Sequence, residues 1–331
     1  TTITAQVGNA LDKQDSYKDS SFRDRFQTKR SSASLQADVQ MGAAGNLTAG
    51  FDHIKDKVSG TTKYAVNSRK NDGLFASYQM TAGDNKFDVS VRQDDNEQFG
   101  KKTTGGLAFA HEFSEQFRAT ASYGTAFKAP TFNDLYYPYS GNASLNPENS
   151  KNLELGIAGR LANGEWAISA FQNKIDDLIQ WRDTGNGVWK PMNVAAAKIT
   201  GLEASAAQRF GDWQLSGNAT FQNPKVAGGE QSGSLLINRP KQLLNVDVQR
   251  QFGRFSAGAA VHAEGRRYND TYNLQPLAGF GTLDLRANYQ ISRDVVVGAK
   301  LANVLDHDYE LRKGYNQPGI NGTVTLEYQP K

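Results

Sequence analysis

Phe117-Arg118-Ala119-Thr120-Ala121-Ser122-Tyr123-Gly124-Thr125-Ala126-Phe127 alternates in character: Phe117, Ala119, Ala121, Tyr123 and Phe127 point one way, and Arg118, Thr120, Ser122 and Gly124 the other. Side chains of a β-strand change sides with a period of two, so one face of this segment is apolar and the other wet. The pattern recurs in Phe87, Val89 and Val91 against Asp88, Ser90 and Arg92, and in Leu244, Val246 and Val248 against Asn245, Asp247 and Gln249. Leu283 to Ile291 and Trp213 to Phe221 repeat it. A soluble sandwich would alternate too, so run length and turn spacing decide. The runs reach about ten residues, which suits a tilted membrane-spanning strand, whereas sandwich strands are usually about five or six.

The connections come in two alternating kinds. Short turns fall at 42–46, 82–85, 114–116, 163–165, 210–212, 252–254 and 292–294, each rich in Gly, Asn, Asp or Ser. Longer polar segments lie between them, roughly at 10–30, 55–71, 93–103, 128–150, 173–198, 223–240, 265–278 and 305–320. Short turns on one side and long loops on the other are the pattern of an up-and-down barrel in an outer membrane. The expected fold is all-β, an antiparallel transmembrane β-barrel with about sixteen strands present. Aromatic residues near strand ends, Phe113, Phe117, Trp166, Phe210, Trp213, Phe252, Phe255 and Tyr328, would sit in interfacial girdles.

Composition removes other classes. The 331 residues contain no run of eighteen apolar residues and so no helical span. A hydrophobic fraction of 38% and a mean hydropathy of −0.60 would suit a soluble domain, but a barrel wall is equally polar on average. The absence of cysteine excludes disulfides, thiolate metal sites and a cysteine nucleophile. With 37 basic and 34 acidic residues, the net charge of +3 gives no nucleic-acid face. No catalytic residues are expected: the four histidines are scattered and stand beside no nucleophile motif. The acidic run Asp94-Asp95-Asn96-Glu97 has oxygen ligands of the kind calcium takes, although a solvated loop accounts for it better.

Several stretches in order resemble one family, the TonB-dependent outer-membrane receptors, and among them the cobalamin receptors. Val91 to Gly100 is similar to the family's strand-to-loop stretch, and Ala121 to Tyr136, with Phe127-Lys128-Ala129-Pro130-Thr131-Phe132, to its most recognisable signature. Leu145-Asn146-Pro147-Glu148 leading to Leu153-Glu154-Leu155-Gly156, Lys174 to Ile179, Ile199 to Glu203, and Leu301 to Tyr309 complete the series. Pro130 ends its strand because it cannot donate to the ladder. The resemblance implies an active transporter for a scarce bulky nutrient, most of all cobalamin, in the bacterial outer membrane and energised through TonB. A ferric-siderophore or haem receptor is the alternative within the class, and a passive porin the alternative outside it.

Family members resemble a plug followed by twenty-two strands. Residues 1–331 are therefore expected to be the C-terminal part of the barrel domain, with plug and first strands absent; the start reads as a strand, Ile3 to Val7. The ending, Val324 to Lys331, departs from the usual terminal aromatic residue. No cofactor is expected in this chain, and calcium, if the full receptor binds it, would fall in the missing barrel loops. Expected partners are a cobalamin or iron-chelate ligand, TonB through the absent plug, outer-membrane lipids including lipopolysaccharide, and the barrel assembly machinery.

A large corrinoid or siderophore needs a mouth of aromatic surfaces with a few placed donors. Two loops supply them: Phe132, Tyr136, Tyr137, Tyr139 and Asn142 in one, Arg266, Arg267, Tyr268 and Tyr272 in the other. Gly265-Arg266-Arg267-Tyr268-Asn269-Asp270 is similar to a stretch of the cobalamin receptors whose arginine reaches the ligand, which the resemblance carries to Arg267. Tyrosines in such loops also pack loop against loop. Glu203 and Arg286, on wet strand faces, are either contacts for a plug or lumenal charges that keep the interior solvated.

Overall fold

The computed structural model describes residues 1–185, 187–193 and 196–330; Lys331 at the end of the unusual terminal stretch lies outside them. The first nine strands are β1 (Thr2–Lys18), β2 (Ser21–Gln40), β3 (Asn46–Gly60), β4 (Ser68–Ala82), β5 (Asn85–Asn96), β6 (Gly100–Ser114), β7 (Phe117–Lys128), β8 (Glu148–Leu161) and β9 (Gly164–Asp176). A small hairpin follows, β10 (Ile179–Asp183) with β11 (Trp189–Asn193). Next come β12 (Ala196–Phe210), β13 (Trp213–Val226), β14 (Gln242–Phe252) and β15 (Phe255–Glu264), then the hairpin β16 (Arg267–Tyr268) with β17 (Pro276–Leu277). The chain continues with β18 (Phe280–Gln290), β19 (Val295–Ala302), a third hairpin of β20 (Glu310–Arg312) and β21 (Tyr315–Asn316), and β22 (Asn321–Tyr328).

Sixteen strands form one sheet in chain order, interrupted only by the three hairpins, and β1 and β22 end the order without pairing to each other. The expected strand number and up-and-down order are both present. All seven short turns join strands where the sequence places them. Gly83 and Gly211 take φ of 58° and 56° there, a conformation that costs glycine little and other residues more.

The long segments differ from expectation at the start of the chain. Positions 10–30, 55–71 and 93–103 are mostly strand, and β1 turns into β2 through Asp19-Ser20 alone, both at positive φ. At about 3.3 Å per residue, the 20 residues of β2 extend well beyond an apolar belt about 25 Å tall, even when tilted. Past the belt both faces meet water, so apolar alternation disappears while the ladder continues.

The chain divides into two compact units. The first comprises Thr1–His111, Thr120–Leu153 and Asn173–Ala197. Its apolar face carries Ile3, Val7 and Leu11 on β1 and the cross-strand row Leu35, Phe51, Leu74, all exposed, Val7 at 88%. A continuous row of this kind is unfavourable in water and suited to hydrocarbon. On the opposite, polar face Arg92 donates to Asp52 at 2.6 Å and to Asp94 at 2.9 Å, and Asn71 donates to Asp94 at 2.7 Å. The guanidinium lies over Gly73, where a Cβ would stand 2.0 Å from Arg92 Nη2. Gly73→Ala is therefore expected to dislodge Arg92 and lose about 1.5–3 kcal/mol of charged hydrogen bonding, read as a lower urea midpoint with an unchanged slope.

The second unit comprises Glu112–Ala119, Glu154–Gln172 and Lys198–Lys331. It repeats the device: Arg286 forks onto Asp247 at 2.6 and 2.7 Å and lies over Gly258 of the intervening strand. Lys300 pairs with Asp284 at 2.7 Å on the same face. Glu203, the other charge singled out on a wet face, accepts from Thr220 at 3.5 Å. Near the short turns, Phe117 contacts Phe113 at 5.4 Å and Trp166 at 6.3 Å between centroids, and Phe252 meets Phe255 at 6.1 Å. Arg250 stands over Trp213 and Phe252, so several of the expected girdle aromatics do cluster at strand ends.

Candidate functional site

In the first unit the loop at 129–147 leaves β7 at Pro130 and folds into α1 (Phe132–Tyr136), one turn of helix. Thr131 and Asp134 close a capping box: Thr131 Oγ1 accepts from Asp134 N at 3.1 Å, and Asp134 Oδ2 accepts from Thr131 N at 2.9 Å. This satisfies orphan donors at the helix start. The other Asp134 oxygen accepts from Trp181 Nε1 at 2.8 Å, which ties β10 to the loop. Glu148 does the same below it, accepting from Ile179 N at 2.8 Å and from Lys128 Nζ at 3.3 Å.

Arg69 at the start of β4 is the second anchor. It donates to Pro130 O at 2.9 Å and to Gln98 Oε1 at 3.2 Å, and its guanidinium stands 5.2 Å from the Phe132 ring centre. Burial lowers the pKa of this guanidinium from its ordinary value, while Asp56 opposes the shift. Tyr64 donates to Asn133 Oδ1 at 2.5 Å, and burial raises its phenol pKa.

The first group of candidates thus separates by role. Phe132 is buried at 5% exposure, and Tyr136 accepts from Gln98 Nε2 at 2.7 Å. Asn142 donates to Pro191 O at 3.1 Å and accepts from Ser144, which holds the β10–β11 hairpin against the loop. Tyr137 and Tyr139 remain at the surface, Tyr139 99% exposed with φ of 65°. A bulky residue in the left-handed region costs about 1–2 kcal/mol, and at Tyr139 no burial offsets it.

In the second unit Arg267 is 3% exposed, the opposite of a free surface arginine. Its Nη1 pairs with Glu264 at 2.9 Å and its guanidinium lies 5.3 Å from the Phe280 ring centre. Phe280 stacks on Tyr309 at 4.1 Å, and Glu264 also meets His262 Nε2 at 3.1 Å. Arg267 Nε and Nη2 have no hydrogen-bond partner among the described residues. Asp270 orders the following turn by accepting from the N–H groups of Tyr272, Leu274 and Gln275. Asn273 bonds both backbone groups of Leu235, so the loop after β13 is tied to this one. Arg266 stands over Tyr268 at 5.8 Å, and Tyr272 (64% exposed) projects with Leu274. Lys313 N donates to Asn269 Oδ1 at 3.4 Å, which sets the β20–β21 hairpin, with exposed Leu311 and Tyr315, beside it.

The structure brings the candidates together within each group, and the two groups belong to different units. Sequence reasoning missed the supports: Arg69, Gln98, Trp181, Glu264, Phe280 and Tyr309. Trp181 carried the one available signal, an apolar residue within a long polar segment. The acidic run at 94–97 is split by alternation. Asp94 and Asn96 are buried on the polar face, Asp95 is exposed, and Glu97 accepts from Lys70 N at 2.9 Å. Among the described residues, no three acidic or histidine side chains group as metal ligands.

The family profile described as TonB dependent receptor-like, beta-barrel matches residues 2–304. A vitamin B12 transporter of Photobacterium profundum is 32% identical over 99% of this chain and 56% of its own length. Another vitamin B12 transporter, from Vibrio vulnificus, is 32% identical over 86% of this chain and 47% of its own. The chain thus spans about half the length of these curated relatives. Among solved structures, the copper transporter OprC superposes with a TM-score of 0.83 at 17% identity, covering 99% of this chain and 62% of that one. At that identity the likeness concerns the fold alone.

Proposed function

Because this chain belongs to the TonB-dependent receptor family, whose members transport and do not catalyse, we propose that it is the C-terminal part of the barrel domain of an outer-membrane receptor for cobalamin, energised through TonB. The observation that carries the substrate is the identity shared across nearly the whole chain with relatives named as vitamin B12 transporters. The physical case is a division of labour within each loop group. Arg266, Tyr137, Tyr139 and Tyr272 are exposed and offer aromatic faces and a cation. Phe132, Tyr136, Asn142, Arg267 and Tyr268 hold the loops that carry them. A corrinoid has wide apolar faces and amide edges, which such side chains bind by stacking and hydrogen bonding. High affinity for a scarce solute makes release slow, and work delivered through TonB to a plug overcomes that. TonB, the plug and the assembly machinery act on the intact receptor, as part of the same proposal.

Tyr139 is the sharpest point of this reading, since strain kept without packing points to function. Cyanocobalamin binding to the detergent-purified full-length protein, followed by tryptophan quenching, tests it with ferric siderophores as controls. Tight cobalamin binding that weakens about tenfold in Tyr139→Gly supports the assignment, a loss of about 1.4 kcal/mol. Siderophore binding without cobalamin binding keeps the receptor class and removes the substrate.

A further inference from the structure

We propose that His262 is a positioning residue for the 265–278 loop and acts as an imidazolium, so that the order of this loop, and the ligand affinity it supports, fall as pH rises. The effect on affinity rests on the receptor reading above; the effect on loop order does not. Both ring nitrogens of His262 face acceptors: Nδ1 stands 2.6 Å from Asn245 Oδ1, and Nε2 stands 3.1 Å from Glu264 Oε1. The Asn245 amide is turned this way by its own bond, since its Nδ2 donates to Asn218 Oδ1 at 3.0 Å. A neutral imidazole has one donor and one acceptor. It therefore satisfies one of these neighbours and sets a lone pair against the other, whereas the charged ring donates to both.

The charge reaches the loop through Glu264. One oxygen of this carboxylate meets His262, and the other pairs with Arg267 Nη1 at 2.9 Å. Arg267 opens β16, the strand that leads into the loop, and its Nε and Nη2 have no hydrogen-bond partner among the described residues. A carboxylate pushed off a neutral ring therefore takes with it the hydrogen-bonded anchor of that guanidinium. The Phe280 ring centre lies 5.6 Å from the imidazole and 5.3 Å from the guanidinium, a setting that favours cations. The remaining charged groups beside His262 are already engaged. Asp247 on β14 is forked by Arg286, and Asp284 on β18 is paired with Lys300. Thr282, directly opposite His262 on β18, does not titrate. Histidine is the side chain that changes charge between about pH 5 and 8, so the switch in this cluster falls to His262.

The test is hydrogen exchange of the detergent-purified full-length protein at about pH 6 and about pH 8, corrected for the intrinsic pH dependence of exchange. The amides to read are Tyr272, Leu274 and Gln275, which donate to Asp270 inside the loop. Wild type is expected to protect them about tenfold better at the lower pH, the scale of one charged hydrogen bond. The 129–147 loop, held by Arg69, Asp134 and Glu148, serves as the internal reference and stays flat. His262→Gln is expected to abolish the pH dependence, and His307→Gln, changing an exposed histidine, to keep it. A flat wild-type profile overturns the proposal whether or not the variant folds, and so does a pH dependence that survives in His262→Gln. Cyanocobalamin affinity is expected to follow the loop in wild type, falling about tenfold over the same range. Tight cobalamin binding with a flat loop profile keeps the receptor reading and overturns this one. A pH-dependent loop without cobalamin binding does the reverse, supporting the role of His262 and removing the substrate.

Discussion

Arg267→Ala is expected to destabilise the 265–278 loop by about 3–5 kcal/mol, the usual consequence of removing one partner from a buried ion pair. Truncation takes from the Glu264 carboxylate its guanidinium partner, leaving it beside the His262 ring, and takes the guanidinium from the Phe280 ring. Hydrogen exchange is expected to accelerate at Asn269, Tyr272 and Leu274, whose order depends on this turn, and cobalamin affinity is expected to fall with it. The double variant Glu264→Gln/Arg267→Met restores protection, because it replaces the pair by groups that need no countercharge. Arg266→Ala, changing an exposed side chain, leaves exchange untouched and lowers affinity alone. Slow exchange in Arg267→Ala with affinity lost would instead make Arg267 a direct ligand contact.

That distinction marks where sequence reading stops. Alternation at 117–127 and the seven short turns revealed strand number and order, because period-two patterning and turn chemistry are local properties. The strand extensions at 10–30 and 55–71 were illegible for a physical reason. Once a ladder leaves the apolar belt, solvent on both faces removes the pattern, while backbone hydrogen bonds continue to hold it. The candidate loops were found by residue type, and type alone does not say which way a side chain points. Arg266 and Arg267 are neighbours of one kind, yet one is exposed and the other enclosed. Register after Glu264 decides between them. Phe132 and Tyr139 differ in the same way, and the supports of their loop, Arg69 and Gln98, lie in strands and turns far earlier in the chain.

Phe132→Ala is accordingly expected to cost about 3–5 kcal/mol, the range for emptying a buried phenylalanine site. The effect will be confined to the 129–147 loop and the β10–β11 hairpin it supports. Without the ring, Arg69 keeps its bonds to Pro130 and Gln98 but loses the surface it stacks on. The capping box at Thr131 and Asp134 then has to hold α1 alone, and a one-turn helix does not persist without packing. Trp181 follows, since its indole N–H is anchored on Asp134. Limited proteolysis is expected to cut the variant within 137–144 while wild type resists. Tyr139→Gly is the matched control in the same loop: it removes no packing and relieves a positive φ, so stability is expected to rise by about 1 kcal/mol. A loop that loosens in Phe132→Ala and tightens in Tyr139→Gly, with cobalamin affinity lower in both, separates the residue that builds the site from the residue that uses it. Equal protease resistance of Phe132→Ala and wild type would show that the ring faces the ligand rather than the wall.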